Sequence, residues 1–194
     1  GEKVIRDLCA HPATARFVSE KLVRHFVADD PPPAAVERIA GVFRETDGNL
    51  KEVSLALIEL DEAWDPTHRK IRSPQDWLVA VLRTFHAKEV APPVVQVLTP
   101  LRHPLWGPAA PKGFGDEVRD WSDPDSLMNR AELARSVADR VGADLVRGGV
   151  PVSRMLEVME VEAGDPLAGM LTDASIDTRE RLALAIAGPA FQWR

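Results

Sequence analysis

The chain has 194 residues, 45% hydrophobic and 28% charged, which is enough for one domain with a real core or two small ones. Its formal net charge of −6 argues against a general affinity for nucleic acid or an anionic membrane. No apolar run approaches the ~18 residues that span a bilayer, and a lone cysteine, Cys9, can form neither an internal disulfide nor a thiolate zinc cluster.

Val4, Ile5 and Leu8 form the end of a helix or its docking segment, and among them Cys9 reads as a buried, inert thiol. The start at Gly1, with no Met and no signal peptide, reads as a fragment or a trimmed product. Pro12 at a first-turn position opens a helix on which Ala15, Val18, Leu22 and Phe26 recur at helical spacing. Asp29-Asp30 before three prolines ends it, and both acids read as solvated. A second helix carries Val36, Ile39, Ala40 and Phe43, closed by the turn Asp47-Gly48-Asn49. That turn resembles part of a calcium loop, but the position that should hold the closing Glu is Ile58. A third helix carries Leu50, Val53, Leu57, Leu60 and Trp64. The basic cluster Arg69, Lys70 and Arg72 reads as a solvated helix end or loop.

Ser73-Pro74-Gln75-Asp76 combines a capping hydroxyl, a first-turn proline and an acid at the positive helix end. Trp77, Leu78, Val81, Leu82 and Phe85 cover more than one face of the helix it starts, which predicts a central, mostly buried element. A shorter helix follows with Val94, Val95, Leu98 and Leu101. The stretch Pro100 to Arg130 is different in kind. It holds five prolines, three glycines, Trp106, Phe114 and Trp121, and reads as a loop pinned to the helical core by those aromatics. Asp123-Pro124 caps the next helix, whose core face is Leu127, Ala131, Ala134, Ala138 and Val141, with Gly142 as its stop. After a turn at Gly148–Pro151 come a helix with Met155, Leu156 and Met159, a short piece from Pro166 to Leu171, and a last helix with Leu182, Ala185 and Ile186. Phe191 and Trp193 offer a final apolar anchor.

No alternating strand pattern occurs, so the fold class is all-α: an irregular bundle of about eight or nine short helices with a long Pro/Gly/Trp-rich packed loop. The organisation expected is one helical domain, with possible lobes 1–99 and 123–194 joined by the loop 100–122.

The search for chemistry finds no catalytic constellation. None of the five histidines has a histidine partner at i,i+4. His11 reads as fixing a helix start, and His25 and His86 as lying near helix C-termini. His103 differs, since it sits in the loop beside Arg102, where a side chain can face a pocket. The catalytic candidates are therefore His103, Arg102 and Asp123, with Asp120 as an alternative acid. Glu157, Glu160 and Glu162 read as a polar helix face. No phosphate loop, dinucleotide fingerprint or nucleophile elbow is present, and no cofactor or metal is expected.

Several stretches together resemble the bacterial family known as domain of unknown function 1800. They are His11–Phe17 and Lys21–Val27, Asp30-Pro31-Pro32, Thr46–Lys51, the Ser73-Pro74-Gln75-Asp76 start, Pro111-Lys112-Gly113-Phe114 with Trp121 and Leu127, and the ending Gly188–Arg194. The resemblance implies a bacterial, largely helical protein of which this chain is the C-terminal part. Where members often have Gly-Gln, this chain has Arg102-His103, so the resemblance gives His103 no family-wide role. Members are often encoded beside an exported family, which implies an envelope or secretion setting, with the cytoplasm as the alternative. The functional expectation is an interaction, assembly or scaffold module that docks its own N-terminal half or another protein. The alternative is part of a hydrolase-like enzyme completed by that half.

Overall fold

Eleven α-helices and one 3₁₀ turn are formed by the described residues, and the only β pairing among them is an isolated bridge between Ile71 and Trp193. The fold class is all-α. The structure is a computed structural model describing residues 1–85, 94–148, 156, 159, 161 and 164–194, without the side chains of Val94, Val95 and 141–148. His86, the turn after Gly148, Glu157, Glu160, Glu162 and most of the helix expected around Met155 lie outside these residues.

The chain divides into two units. Unit 1 is Gly1–Lys70 together with Asp116–Val118, and unit 2 is Ile71–Gly115 together with Arg119–Arg194.

Unit 1 contains α1 (Glu2–Cys9), α2 (Pro12–Phe26), α3 (Pro33–Glu45), α4 (Leu50–Ile58) and the 3₁₀ turn Asp61–Ala63. The local signals act as the sequence requires. The His11 ring accepts from the Ala13 amide at 3.1 Å and caps α2, and Asn49 accepts from the Lys51 amide and caps α4. The core is Val23, Val27, Ala35, Val36, Ile39, Val53, Leu57 and Leu60. On α2 the buried stripe is Ala15, Ser19 and Val23, not Ala15, Val18, Leu22 and Phe26; Phe26 is 56% exposed. The i,i+4 row runs through a serine, which hid it from a reading that followed apolar residues. Trp64 is also misplaced by periodicity. Helix α4 stops at Ile58, and Trp64 lies exposed beyond it, its indole N–H donating to the Ile58 carbonyl at 2.7 Å. Cys9 is exposed, because α1 buries none of its residues.

Unit 2 contains α5 (Pro74–Thr84), α6 (Val94–Leu98), most of α7 (Val118–Trp121), α8 (Pro124–Gly148), α9 (Pro166–Thr172), α10 (Thr178–Ala187) and α11 (Pro189–Gln192). The Ser73 hydroxyl accepts from the Asp76 amide, and Trp77 is fully buried with its indole N–H donating to the Ile186 carbonyl at 3.0 Å. Helix α5 therefore buries Trp77, Leu78 and Val81 as the sequence predicts, while Val79 on its other side is exposed. Helices α8 and α10 form the most extensive helix pair, with Ala134 and Ala138 meeting Leu182, Ala185 and Ile186 in one core. Small side chains on α8 let the two backbones approach. Gly142 does not stop α8, which continues to Gly148. Its buried stripe is Ser126, Arg130, Ala134 and Ala138, whereas Leu127 is 39% exposed. An arginine occupies a core position that the apolar pattern could not reveal.

Candidate functional site

The three residues singled out from sequence all belong to unit 2, and each is placed by a backbone device. Asp123 caps α8: its carboxylate accepts from the Ser126 amide at 3.1 Å and from the Ser126 hydroxyl at 2.6 Å. These hydrogen bonds, the hydroxyl's above all, hold its pKa below the ordinary carboxylate value. Arg102 reaches Asp123 at 3.4 Å, with its side chain 67% exposed.

Arg102 owes its position to the end of α6. The His103 amide donates to the Leu98 carbonyl and the Arg102 amide to the Thr99 carbonyl, both at 3.0 Å. This is the Schellman closure, whose turning residue needs positive φ and is usually glycine. Arg102 holds that place with φ +61°. It is a side chain carried by a position that favours having none.

His103 is 8% exposed. Its ring lies 5.1 Å from that of Trp121, nearly parallel, and meets Phe114 edge-on at 4.2 Å. Nδ1 accepts from the Gln75 amide at 3.4 Å, at the start of α5. That bond requires an unprotonated Nδ1. Burial pushes the His103 pKa down, against a smaller opposing pull from Asp76. His103 is thus a neutral ring that seats the loop against a helix start. Trp121 is buried beside it, its indole N–H donating to the Gly115 carbonyl at 3.1 Å. Of the three aromatics expected to pin the loop, Phe114 and Trp121 pack against His103, but Trp106 does not: it is 97% exposed. Asp120 is exposed, and its carboxylate lies so close to Gly115 that a Cβ there would fall 2.1 Å from Oδ2.

A second polar cluster of unit 2 gathers around Arg130, which the apolar pattern of α8 does not announce. Arg130 is 1% exposed and donates to Gln192 Oε1 at 2.6 Å and to the Arg72 carbonyl at 2.9 Å, while its Nε has no partner. Burial lowers its pKa to about 10, with Asp123 pulling the other way. Gln192 donates to the Ala187 carbonyl at 3.1 Å, and its own carbonyl accepts from the Arg72 amide at 2.7 Å. The Arg72 guanidinium donates to the Phe191 carbonyl and lies 5.0 Å from the Phe191 ring centroid. Arg72, expected in solvent, is therefore half buried. Together these bonds fasten the C-terminal Phe191-Gln192 pair onto α8. The only sequence signal was the i,i+4 row that places Arg130 in line with Ala134 and Ala138.

Unit 1 has a charged cluster of its own. Lys70 is 2% exposed and donates to Asp29 Oδ1 and to the Asp116 carbonyl. Asp29 Oδ2 also accepts from the Val118 amide at 2.6 Å. His25 Nδ1 lies 3.3 Å from Asp116 Oδ2, and Arg24 lies 3.9 Å from Glu117. The reading of Asp29 and Lys70 as solvated is corrected. Their partners are far away in sequence, so nothing local announces the pairing.

Among the described residues no three His, Cys, Asp or Glu side chains are grouped to hold a metal ion. No described helix is long and apolar enough to cross a membrane. Comparison with curated proteins and with solved structures gives no significant match. The family model described as "Protein of unknown function (DUF1800)" matches residues 1–193, and the chain belongs to that family.

Proposed function

We propose that the chain is a helical interaction and assembly module. The observation that carries this reading is α1. Val4, Ile5 and Leu8 lie 60–62% exposed on it, and Phe17 of α2 is 61% exposed. An isolated eight-residue helix is marginal in water. Apolar residues at i, i+1 and i+4 make one face, and a face of that kind is stable when another apolar helix covers it. The partner is a protein surface of this type, contributed by a further segment of the same protein or by a separate chain. The polar candidates suit this reading better than catalysis, since His103 is spent on seating a loop and Asp123 on capping a helix. In the alternative, enzymatic reading Arg102, His103 and Asp123 act on a substrate together with groups from elsewhere in the protein.

The test is co-purification of the chain with the remainder of its full-length protein and with neighbouring gene products, alongside an Ile5→Glu/Leu8→Glu variant. The expected result is a stable complex that the variant loses while its melting temperature is kept. Free monomer in every case, from the unaltered chain, removes the reading.

A further inference from the structure

The segment 100–115 presents a surface that the protein-docking role of α1 does not use. Its tip, Leu105-Trp106-Gly107-Pro108-Ala109, is exposed throughout. Trp106 is 97% exposed and Leu105 37%. The tip is not a floppy excursion. The Gly107 amide donates to the Pro104 carbonyl at 3.2 Å, closing a turn, and Trp106 holds the third place of that turn at φ +60°. That place favours Gly or Asn, and a bulky residue there is strained. Behind the tip, buried His103 is clamped by Phe114, Trp121 and the Gln75 amide. A rigid base therefore carries a strained turn whose largest side chain contacts almost nothing. Strain of this kind persists where the displayed group has a use.

The charges flanking the tip bear on that use. The chain contains 30 acids, yet none lies between Val90 and Gly115 in the sequence; the acids that approach this segment in space include Asp123, beside Arg102, and Asp120, beside Gly115. The charged side chains within 100–115 are Arg102 and Lys112, both exposed, on either side of the apolar tip. Arg102 also faces Asp123 at 3.4 Å, which leaves its 67% exposed side chain open to a second anion. A tryptophan and a leucine between two cations is the arrangement that suits a bilayer interface. The indole sits at headgroup depth, the leucine reaches the acyl boundary, and the cations meet lipid phosphates. The overall charge of −6 does not forbid this, because at physiological salt charges beyond about 8 Å are largely screened.

We propose that the loop 100–115 is a peripheral anchor for an anionic membrane surface, with Trp106 and Leu105 as its inserted side chains and Arg102 and Lys112 as its phosphate contacts. This goes beyond the docking role of α1 and is independent of it. The anchor works by shallow insertion and involves no spanning segment.

The experiment is co-sedimentation of the chain with large unilamellar vesicles, made either of equal parts phosphatidylglycerol and phosphatidylcholine or of phosphatidylcholine alone. The expected result is binding to the anionic vesicles that weakens as salt rises. Trp106→Ser lowers the partition coefficient about tenfold or more, as the loss of one buried aromatic implies. Arg102→Gln and Lys112→Gln each lower it about fivefold. In the Trp106→Phe variant the blue shift of tryptophan emission on adding vesicles disappears. Trp106 contacts almost nothing, Lys112 is exposed and the Arg102–Asp123 pair is an exposed one, so these variants keep a melting curve close to the unaltered one and lost binding is not lost folding. Absence of binding to anionic vesicles overturns the proposal, as does binding that Trp106→Ser leaves unchanged or that is equal on both vesicle types.

Discussion

Lys70 in unit 1 and Arg130 in unit 2 are hidden to the same degree, 2% and 1% exposed, but their charges are met differently. Lys70 has a carboxylate, Asp29, which is also held by the Val118 amide. Arg130 has an amide oxygen and a backbone carbonyl, with Asp123 acting only at longer range. The first is an ion pair in which the ammonium is buried while the carboxylate keeps 30% of its side-chain surface in water, so only one of the two charges bears the full cost of leaving solvent. The second is a cation surrounded by dipoles, and the cost is visible in its lowered pKa. The ammonium needs one strong counter-charge. The planar guanidinium spreads its charge over five N–H groups and can be held by several neutral acceptors. Arg130 therefore serves as a multi-pronged fastener for the chain end, and Lys70 as one half of a clasp.

Breaking the ion pair is expected to have the largest effect. Asp29→Asn strands Lys70 and should cost about 3 kcal/mol of unfolding free energy in denaturant titrations. A loss under 1 kcal/mol would show that water reaches the ammonium and that the pair is not a true buried one. Arg130→Met should cost less, about 2 kcal/mol, because the acceptors left unpaired are neutral. Adding Gln192→Leu to it should restore part of the loss. If the double variant is no better than the single, the fastening does not run through that bond.

Arg102→Gly sharpens a different contrast, between a charge placed by packing and one placed by a strained turn. Glycine relieves the positive φ at the end of α6, while the exposed pair with Asp123 contributes little. The expected outcome is a gain of up to about 1 kcal/mol, read as a higher melting temperature.

His103 is the third buried ionisable side chain, after Lys70 and Arg130, and the only one of the three that stays neutral near pH 7. Its folded pKa lies below its ordinary value of 6.5. The unfolded chain therefore binds the proton more readily, and the stabilising contribution is complete above pH 6.5 and declines as pH falls below it. Melting curves from pH 7.5 to 5 should show a steeper loss for the unaltered chain than for His103→Asn. Parallel curves would mean that His103 is not the group responsible.

The fold class was legible because turns and caps are local. His11, Asn49 and Ser73 each cap the helix that their own neighbours announce. The faces were less legible. Reading Val18 and Leu127 as core follows the rule that apolar residues mark the buried side, and on both helices a polar residue, Ser19 or Arg130, holds the row instead. Trp106 failed for a related reason: a large aromatic in a Pro/Gly loop reads as an anchor, and only the backbone dihedrals reveal that the turn points it outward. Of the site candidates, the capping place of Asp123 is local and readable, but the engagement of His103 with Trp121 and Gln75 depends on contacts that no spacing encodes.

The clasp around Lys70 has a consequence for synthesis. Lys70 must wait for the Asp116 carbonyl, 46 residues further on, and Asp29 for the Val118 amide, 89 residues further on. Chains emerge from the ribosome N-terminus first. Helices α2, α3 and α4 can therefore collapse on their apolar core early, but their charged edge stays open to water until most of the loop after α6 has been made. A nascent chain arrested at Lys70 would carry this edge unfinished, and a binding factor that recognises unpaired charge beside exposed helix would have its longest opportunity in that interval.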